Sequence, residues 1–366
     1  LIKSSPDFHV THGFHFDESF PIVAAEIDAV QNAVGLTEVN GFNRFEITGS
    51  DARPFVDRMF CGKITAKAGR VGLGYLLNHH GMLKGEATIA NLPASDRGGE
   101  RMWYGSAAAS EFHDMDWLTK HIGADEDVQV KSLTNDMTIL VIAGPKARDV
   151  LQSVSRADWS KEAFPWLSVR ECFVGYAPAT VIAVSFSGEM AYEIHVPNAS
   201  LYAAYTALRE AGKAHGMKLF GALAVEAMRM EKGYLHWKAD ILTEFDPFET
   251  GLNRFVHLDK SDFIGKAALT ERAKTPPKKK LVTLIVDSDK TPARGGASVM
   301  DGGVVVGTVS SGGYGHRVGK NIAYAFLDAP FATEGQPLVI DMLGQEISAT
   351  VTNSALYDPD MSRVRA

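Results

Sequence analysis

Ile47-Thr48-Gly49-Ser50-Asp51-Ala52-Arg53-Pro54-Phe55-Val56 is answered 95 positions later by Ile142-Ala143-Gly144-Pro145-Lys146-Ala147-Arg148-Asp149-Val150-Leu151. Each stretch reads as a strand ending at a glycine, then a short turn, then a helix that carries Ala-Arg and an apolar face. β-rich text precedes each copy. Two such units predict a duplicated α+β module, because a solenoid needs more and shorter repeats. A glycine turn before a helix can cradle a phosphate. Neither copy is G-x-G-x-x-G or a P-loop, however, so they are read as structural turns, and the chain shows no FAD or NAD fingerprint.

Downstream, Ser185-Phe186-Ser187-Gly188-Glu189-Met190-Ala191-Tyr192-Glu193-Ile194-His195-Val196-Pro197 reads as strand, Gly-Glu turn and strand, with Glu189 at the bend. Gly221-Ala222-Leu223-Ala224-Val225-Glu226-Ala227-Met228-Arg229-Met230-Glu231-Lys232-Gly233-Tyr234 reads as a buried, mostly apolar helix stopped near Gly233. Arg229 and Glu231 sit inside that helix. A buried guanidinium and a buried carboxylate each need a partner or a polar ligand, and a structural pair of Arg229 with Glu226 or Glu231 would supply one.

Past Ala273-Lys274-Thr275-Pro276-Pro277-Lys278-Lys279-Lys280, a linker-like stretch with a solvated lysine run, the text changes character. Short β segments follow at Leu281–Val286, Val304–Val309, Ile322–Leu327, Pro337–Ile340 and Ile347–Val351, separated by Gly-rich turns. They predict a small antiparallel barrel or sandwich.

Bulk properties narrow the function. The 366 residues suffice for two or three domains, and 45% hydrophobic with 22% charged residues is ordinary for a globular protein. A net charge of −7 argues against a general nucleic-acid binder, and no apolar run approaches the ~20 residues of a membrane span. Cys61 and Cys172 are the only cysteines, which fits a reducing compartment without disulfides. His9, His12 and His15, with the pair His79-His80, lack the tight spacing of a zinc site. Leu1, with neither an initiator Met nor a signal-peptide core after it, reads as a trimmed start or a piece of a longer chain.

Several stretches, in order and at matching spacing, resemble the glycine-cleavage T-protein (aminomethyltransferase) family. They come closest to the branch that forms the folate-binding C-terminal half of dimethylglycine and sarcosine dehydrogenases. The two stretches around Glu189 and Arg229 carry the resemblance, with Ala33–Val39, Asp262–Leu269 and Thr308–Gly315, the last read as a barrel turn. Arg229–Trp237 is nearer the dehydrogenase wording than that of the T-protein itself. The resemblance extends from about Val23 to Ala366. It implies an α+β fold with two related folate-binding domains and a C-terminal antiparallel β-barrel, arranged as a cloverleaf around a central cavity. The expected division is a folate-binding region over 1–275 and a barrel over 276–366.

The resemblance also implies tetrahydrofolate as cofactor, a small-molecule one-carbon donor, and a FAD-containing oxidoreductase domain or subunit as possible partner. The setting it implies is cytoplasmic, or the mitochondrial matrix in a eukaryote. A folate pocket needs a buried carboxylate for the pterin edge, apolar walls and a cation. By the resemblance Glu189 is the pterin anchor and Arg229 the supporting cation, with Phe186, Tyr234 and Trp237 as candidate walls. In the register set by Leu77-Asn78 and Gly81, the family's catalytic Asp falls on Glu86, and its Tyr, thirteen residues earlier, on Leu73. Both are departures. Glu86 keeps the carboxylate, and Tyr75, on the same strand face as Leu73, is the candidate to restore the hydroxyl. The implied chemistry is transfer of a methylene or aminomethyl group from an amine donor to tetrahydrofolate. The departures leave two alternatives open: a folate-dependent demethylase acting on a sulfonium, amine or aryl-ether substrate, and a non-catalytic folate-binding module.

Overall fold

The computed structural model of the chain describes residues 19–94, 99–289, 291–352 and 355–366. His9, His12 and His15 lie outside them, and among the described residues no cluster of His, Cys, Asp and Glu could hold a metal ion. No described helix is long and apolar enough to cross a membrane.

α1 (Ser19–Asn32) and β1 (Gly35–Val39) open the chain but belong with the second module's sheet; the first module holds β2 (Phe45–Thr48), α2 (Ala52–Met59), β3 (Val71–Leu77), β4 (Leu83–Leu92), β5 (Arg101–Gly105), α3 (Glu111–Lys120) and β6 (Gln129–Ser132). The second holds β7 (Met137–Ala143), α4 (Ala147–Val154), β8 (Val169–Val174), β9 (Ala177–Ile182), β10 (Ala191–Pro197), α5 (Leu201–Lys213), β11 (Lys218–Leu219) and α6 (Ala222–Glu231). After α7 (Lys266–Arg272) come β12 (Lys279–Val286), β13 (Ser298–Asp301), β14 (Val304–Gly315), β15 (Lys320–Asp328), β16 (Pro337–Met342) and β17 (Gln345–Thr352).

The duplicated stretch sits once in each of two sheets. β2 lies in a five-stranded sheet of order β3-β4-β5-β2-β6, and β7 in a six-stranded sheet of order β11-β1-β7-β10-β9-β8. Each amphipathic helix that follows buries its apolar stripe on its own sheet: Ala52, Phe55, Val56 and Met59 in one core, Ala147, Val150 and Leu151 in the other. Full burial of side chains this size contributes roughly 1.5–3 kcal/mol each. The two turns match in backbone, with φ of +123° at Gly49 and +119° at Gly144. A Cβ at Gly144 would stand 2.5 Å from the Val30 carbonyl oxygen and 2.7 Å from that of Ala33. Gly144→Ala is therefore expected to destabilise the chain by about 1–3 kcal/mol, read from denaturant unfolding. A cost near zero would mean that the turn is freer than its φ implies.

The sheets meet along a seam of Val71, Ala90, Leu92 and Trp103 from one and Val169 and Ile182 from the other. Buried Arg44 crosses between the modules, with Nη1 3.1 Å from His195 Nδ1 and Nη2 donating to the Met137 carbonyl at 2.9 Å. Burial holds the His195 imidazole below its usual pKa, which favours the neutral ring that can accept from Arg44.

The C-terminal strands close into a barrel of order β12-β15-β14-β13-β16-β17, filled by Val, Leu, Ile and Ala side chains. Three local expectations are corrected. Ser185–Met190 is irregular, so the first strand of that pair ends at Ile182. Thr308–Gly315 is not a turn but part of β14, with a register shift between Val309 and Ser311. The lysine run is not wholly solvated, because Lys279 enters β12 and pairs with Asp328 at 2.8 Å.

Candidate functional site

β3 and β4 are antiparallel, and their register sets Tyr75 opposite Glu86 and Leu73 opposite Thr88. Alternation sends Leu76, Ala87 and Ile89 into the core beneath α2 and α3, so Tyr75 and Glu86 share the other face. The Tyr75 phenol and the Glu86 carboxyl are cross-strand neighbours, and each acts on the other's titration. Tyr75 is buried, with its ring edge-on to Phe255 at 5.0 Å between centroids. Glu86 is half-buried. Desolvation pushes the Glu86 carboxyl up to about 7, against a smaller downward pull from the neighbouring Tyr75 hydroxyl. The Tyr75 phenol is itself driven well above its ordinary range by burial and by the Glu86 charge. At neutral pH this carboxyl is poised between its two protonation states, as a proton-transfer group must be.

Helix α6 ends where the sequence places its stop, with Gly233 at φ +75°. Arg229 is 0% exposed and fully engaged. Its Nη1 donates to Asp240 at 2.6 Å and to the Tyr234 carbonyl at 3.1 Å, its Nε to Glu226 at 3.0 Å, and its Nη2 to Ser311 Oγ at 3.0 Å. Burial draws its pKa down, but the Glu226 hydrogen bond and the Asp240 charge outweigh it, so the guanidinium stays firmly charged. Glu226 is thus one partner. Glu231 is not, since residues two apart on a helix point to different sides.

Glu231 turns instead to Arg317, which pairs with it through Nε and also donates its backbone N–H at 2.5 Å. The same Arg317 donates Nη1 to Glu189 Oε1 at 2.8 Å and Nη2 to the Met228 carbonyl at 2.7 Å, with its guanidinium 3.8 Å over the Tyr357 ring. Glu189 is 1% exposed. It also accepts from the Tyr357 hydroxyl at 2.7 Å and, on Oε2, from Arg363 Nε at 2.6 Å. Two more contacts hold the C-terminal segment down: the buried Lys232–Asp358 pair at 2.8 Å, and Arg148 donating to the Ala366 carbonyl at 2.7 Å. The glycines of β14 let α6 lie close enough for these pairs, since a Cβ on Gly315 would stand 2.8 Å from Glu231 Cγ.

Phe186 and Tyr234 stack, with ring centroids 6.2 Å apart and planes at 14°, and Phe186 keeps 37% of its surface exposed. Burial raises the Tyr234 phenol to about 12. Trp237 is placed elsewhere. It donates to Ser110 Oγ at 2.7 Å and packs with Cys61, Leu77, Ile241 and Phe263 in the cluster that contains Tyr75. The structure therefore groups Tyr75, Glu86 and Trp237 on one side, and Glu189, Phe186 and Tyr234 on another near the Arg229 helix. Two surface clefts, of about 340 Å³ beside Gly265 and about 450 Å³ beside Trp103, contain none of these site residues.

A family model described as the GCVT N-terminal domain matches residues 4–260, and one described as the glycine cleavage T-protein C-terminal barrel domain matches 279–358. The chain belongs to the glycine cleavage T-protein family. Aminomethyltransferases are among its members. Human mitochondrial dimethylglycine dehydrogenase is 30% identical over 99% of this chain and 42% of its own length. The chain thus spans less than half of that dehydrogenase. The aminomethyltransferase of Alkaliphilus oremlandii is 27% identical over 94% of this chain and 92% of its own. The glycine cleavage system aminomethyltransferase T of Bartonella henselae shares the fold, with a TM-score of 0.82 at 22% identity, covering 92% of this chain and 90% of that one.

Arg317, Tyr357 and Arg363 are the residues that sequence reasoning passed over. Each reaches Glu189 across at least 128 positions, and no spacing or periodicity announces such a contact. The one available hint was the need of a buried Glu231 for a cation that its own helix does not supply.

Proposed function

We propose that this chain is a tetrahydrofolate-dependent one-carbon transferase taking a methylene or aminomethyl group from an amine-type donor. The cross-strand pair of Tyr75 and Glu86 carries this reading. It puts a carboxyl that titrates near neutrality at the position of the family's acid, and beside it a phenol where the family's own hydroxyl position is Leu73.

The residues fit a folate. Arg317, Tyr357 and Arg363 fill three of about four lone-pair sites on the Glu189 carboxylate, so a ring N–H would take the remaining site on Oε2 or those that Tyr357 and Arg363 give up. Because Tyr357 and Arg363 cover Glu189, a pterin reaches it only by displacing part of the C-terminal segment. Phe186 offers an exposed aromatic face, and the saturated Arg229 serves as the frame that holds α6 against the barrel rather than as a free donor. Bound tetrahydrofolate would supply the nitrogen nucleophile that accepts the one-carbon unit. Unprotonated Glu86 would take the proton released as the one-carbon unit joins the folate nitrogen and return it to the departing amine, with the Tyr75 hydroxyl beside the carboxylate. By likeness to the dehydrogenases, a FAD-bearing domain or subunit would generate an oxidised amine donor.

The purified chain is expected to bind tetrahydrofolate and not FAD in calorimetric titration. Glu189→Gln should weaken folate binding by about 1.5–3 kcal/mol through loss of charge-assisted hydrogen bonds. Absence of folate binding by the wild type would sink the functional reading. An unchanged affinity in the variant would leave Glu189 as an anchor for the C-terminal segment alone.

A further inference from the structure

We propose that Arg254 is a carboxylate receptor in this site, binding the acid group of an amino-acid donor or the glutamate tail of tetrahydrofolate. The inference rests on the proposed one-carbon chemistry and names the part of the ligand that the chain grips. Arg254 lies in the short turn Asn253–Phe255, between buried Leu252 and half-buried Val256. Its guanidinium stands 4.7 Å over the Phe255 ring, and Phe255 in turn packs edge-on against Tyr75 at 5.0 Å. The guanidinium therefore sits over the ring that packs on Tyr75, the cross-strand neighbour of Glu86.

What sets Arg254 apart is its lack of an acceptor. Arg229, Arg317 and Arg363 each donate to carboxylates and carbonyls. Arg254 is exposed, and among the described residues no carboxylate or carbonyl takes a hydrogen bond from it. Its charge nevertheless acts on two groups that lie far apart in sequence, the phenols of Tyr75 and Tyr234, lowering both against the upward push of burial. Its charge thus reaches both the Tyr75–Glu86 pair and the Phe186–Tyr234 stack. A planar guanidinium fork held by an aromatic face matches a carboxylate in two parallel hydrogen bonds. The chain as a whole carries a net charge of −7, so an anionic ligand needs a local cation to enter. An amino-acid donor with its nitrogen at Glu86 would present its acid group on the Arg254 side, and so would a folate whose pterin lies toward Phe186.

The test is calorimetric titration of wild type, Arg254→Gln and Arg254→Lys with four ligands. Tetrahydrofolate is paired with 6-methyltetrahydropterin, which lacks the aminobenzoyl-glutamate and any carboxylate, and dimethylglycine with dimethylamine, which lacks the acid group. Arg254→Gln is expected to lose about 10- to 100-fold in affinity for the carboxylate-bearing member of at least one pair and little for the other member, with Arg254→Lys between. The pair that responds identifies the source. Equal losses within both pairs, no loss in either, or a wild type that binds neither carboxylate ligand would overturn the proposal. If tetrahydrofolate fails to bind wild type while dimethylglycine binds and responds to Arg254→Gln, the folate reading falls and the receptor stands. If tetrahydrofolate binds wild type and every affinity is unchanged in Arg254→Gln, the receptor falls alone.

Discussion

Arg317→Met is expected to destabilise the chain by about 3–5 kcal/mol at neutral pH, the usual cost of removing one partner from a buried ion pair. Arg317 is the shared cation of two carboxylates, Glu189 and Glu231, which are 1% and 0% exposed. Without it, Glu231 keeps only the backbone N–H groups of residues 317 and 318, and Glu189 keeps Tyr357 and Arg363. Burial already raises the Glu231 carboxyl against the pull of Arg317. In the variant only the two backbone N–H groups oppose that upward push, so the folded state gains affinity for a proton while the unfolded state does not. By linkage the penalty is smallest in the ordinary carboxylate range, grows as pH rises, and is fully present only above the raised folded-state value. Denaturant unfolding at pH 5 and pH 8 reads this directly: the loss should be smaller at pH 5. A loss under ~1 kcal/mol at both values would mean that the cluster behaves as solvated surface charge.

The sequence made the architecture readable where local chemistry decides structure. The two Gly turns, at 49 and 144, come from positive φ that the backbone requires, and the α6 stop at Gly233 is a left-handed cap of the same kind. Alternating apolar residues revealed five of the barrel strands, but Ser298–Asp301 is too short and too polar to stand out as β13. Ser310–Gly315 misleads because glycine is read as a turn signal, whereas here the missing side chains admit a helix against an extended strand. The Tyr75–Glu86 pair was legible because a two-residue offset keeps a side chain on the same strand face. The ion-pair partners were not. Arg229 and Glu231 invite pairing by adjacency, yet helix geometry parts them, and their true partners come from the loop after α6, the barrel and the C-terminal segment.

Glu86→Gln should lower turnover by ~10²–10⁴-fold while changing tetrahydrofolate affinity little, because the change removes a proton-transfer group and preserves shape. The titration of Glu86 supplies a second, independent reading. Its folded-state value of about 7 lies above the ordinary 4.5, so between those limits the folded chain holds a proton that the unfolded chain releases. Stability therefore falls as pH rises through this window and levels off above 7. Glutamine mimics the protonated carboxyl, so the variant should escape the loss and unfold at a higher temperature than wild type at pH 8. For a half-buried group the difference is on the order of 1–3 kcal/mol at pH 8, shrinking to near zero at pH 4. As the base, Glu86 must be ionised, so wild-type kcat/KM should rise with pH through about 7 and that limb should vanish in the variant. Glu86→Asp separates a tuned residue from a tolerated one: it keeps the charge but draws the carboxylate one methylene away from the Tyr75 hydroxyl, and a site built around the longer side chain loses rate. A variant that gains stability at pH 8 but keeps wild-type turnover would show a buried carboxyl with no part in the chemistry, and the proton acceptor would then have to be sought among other groups on the Tyr75 face.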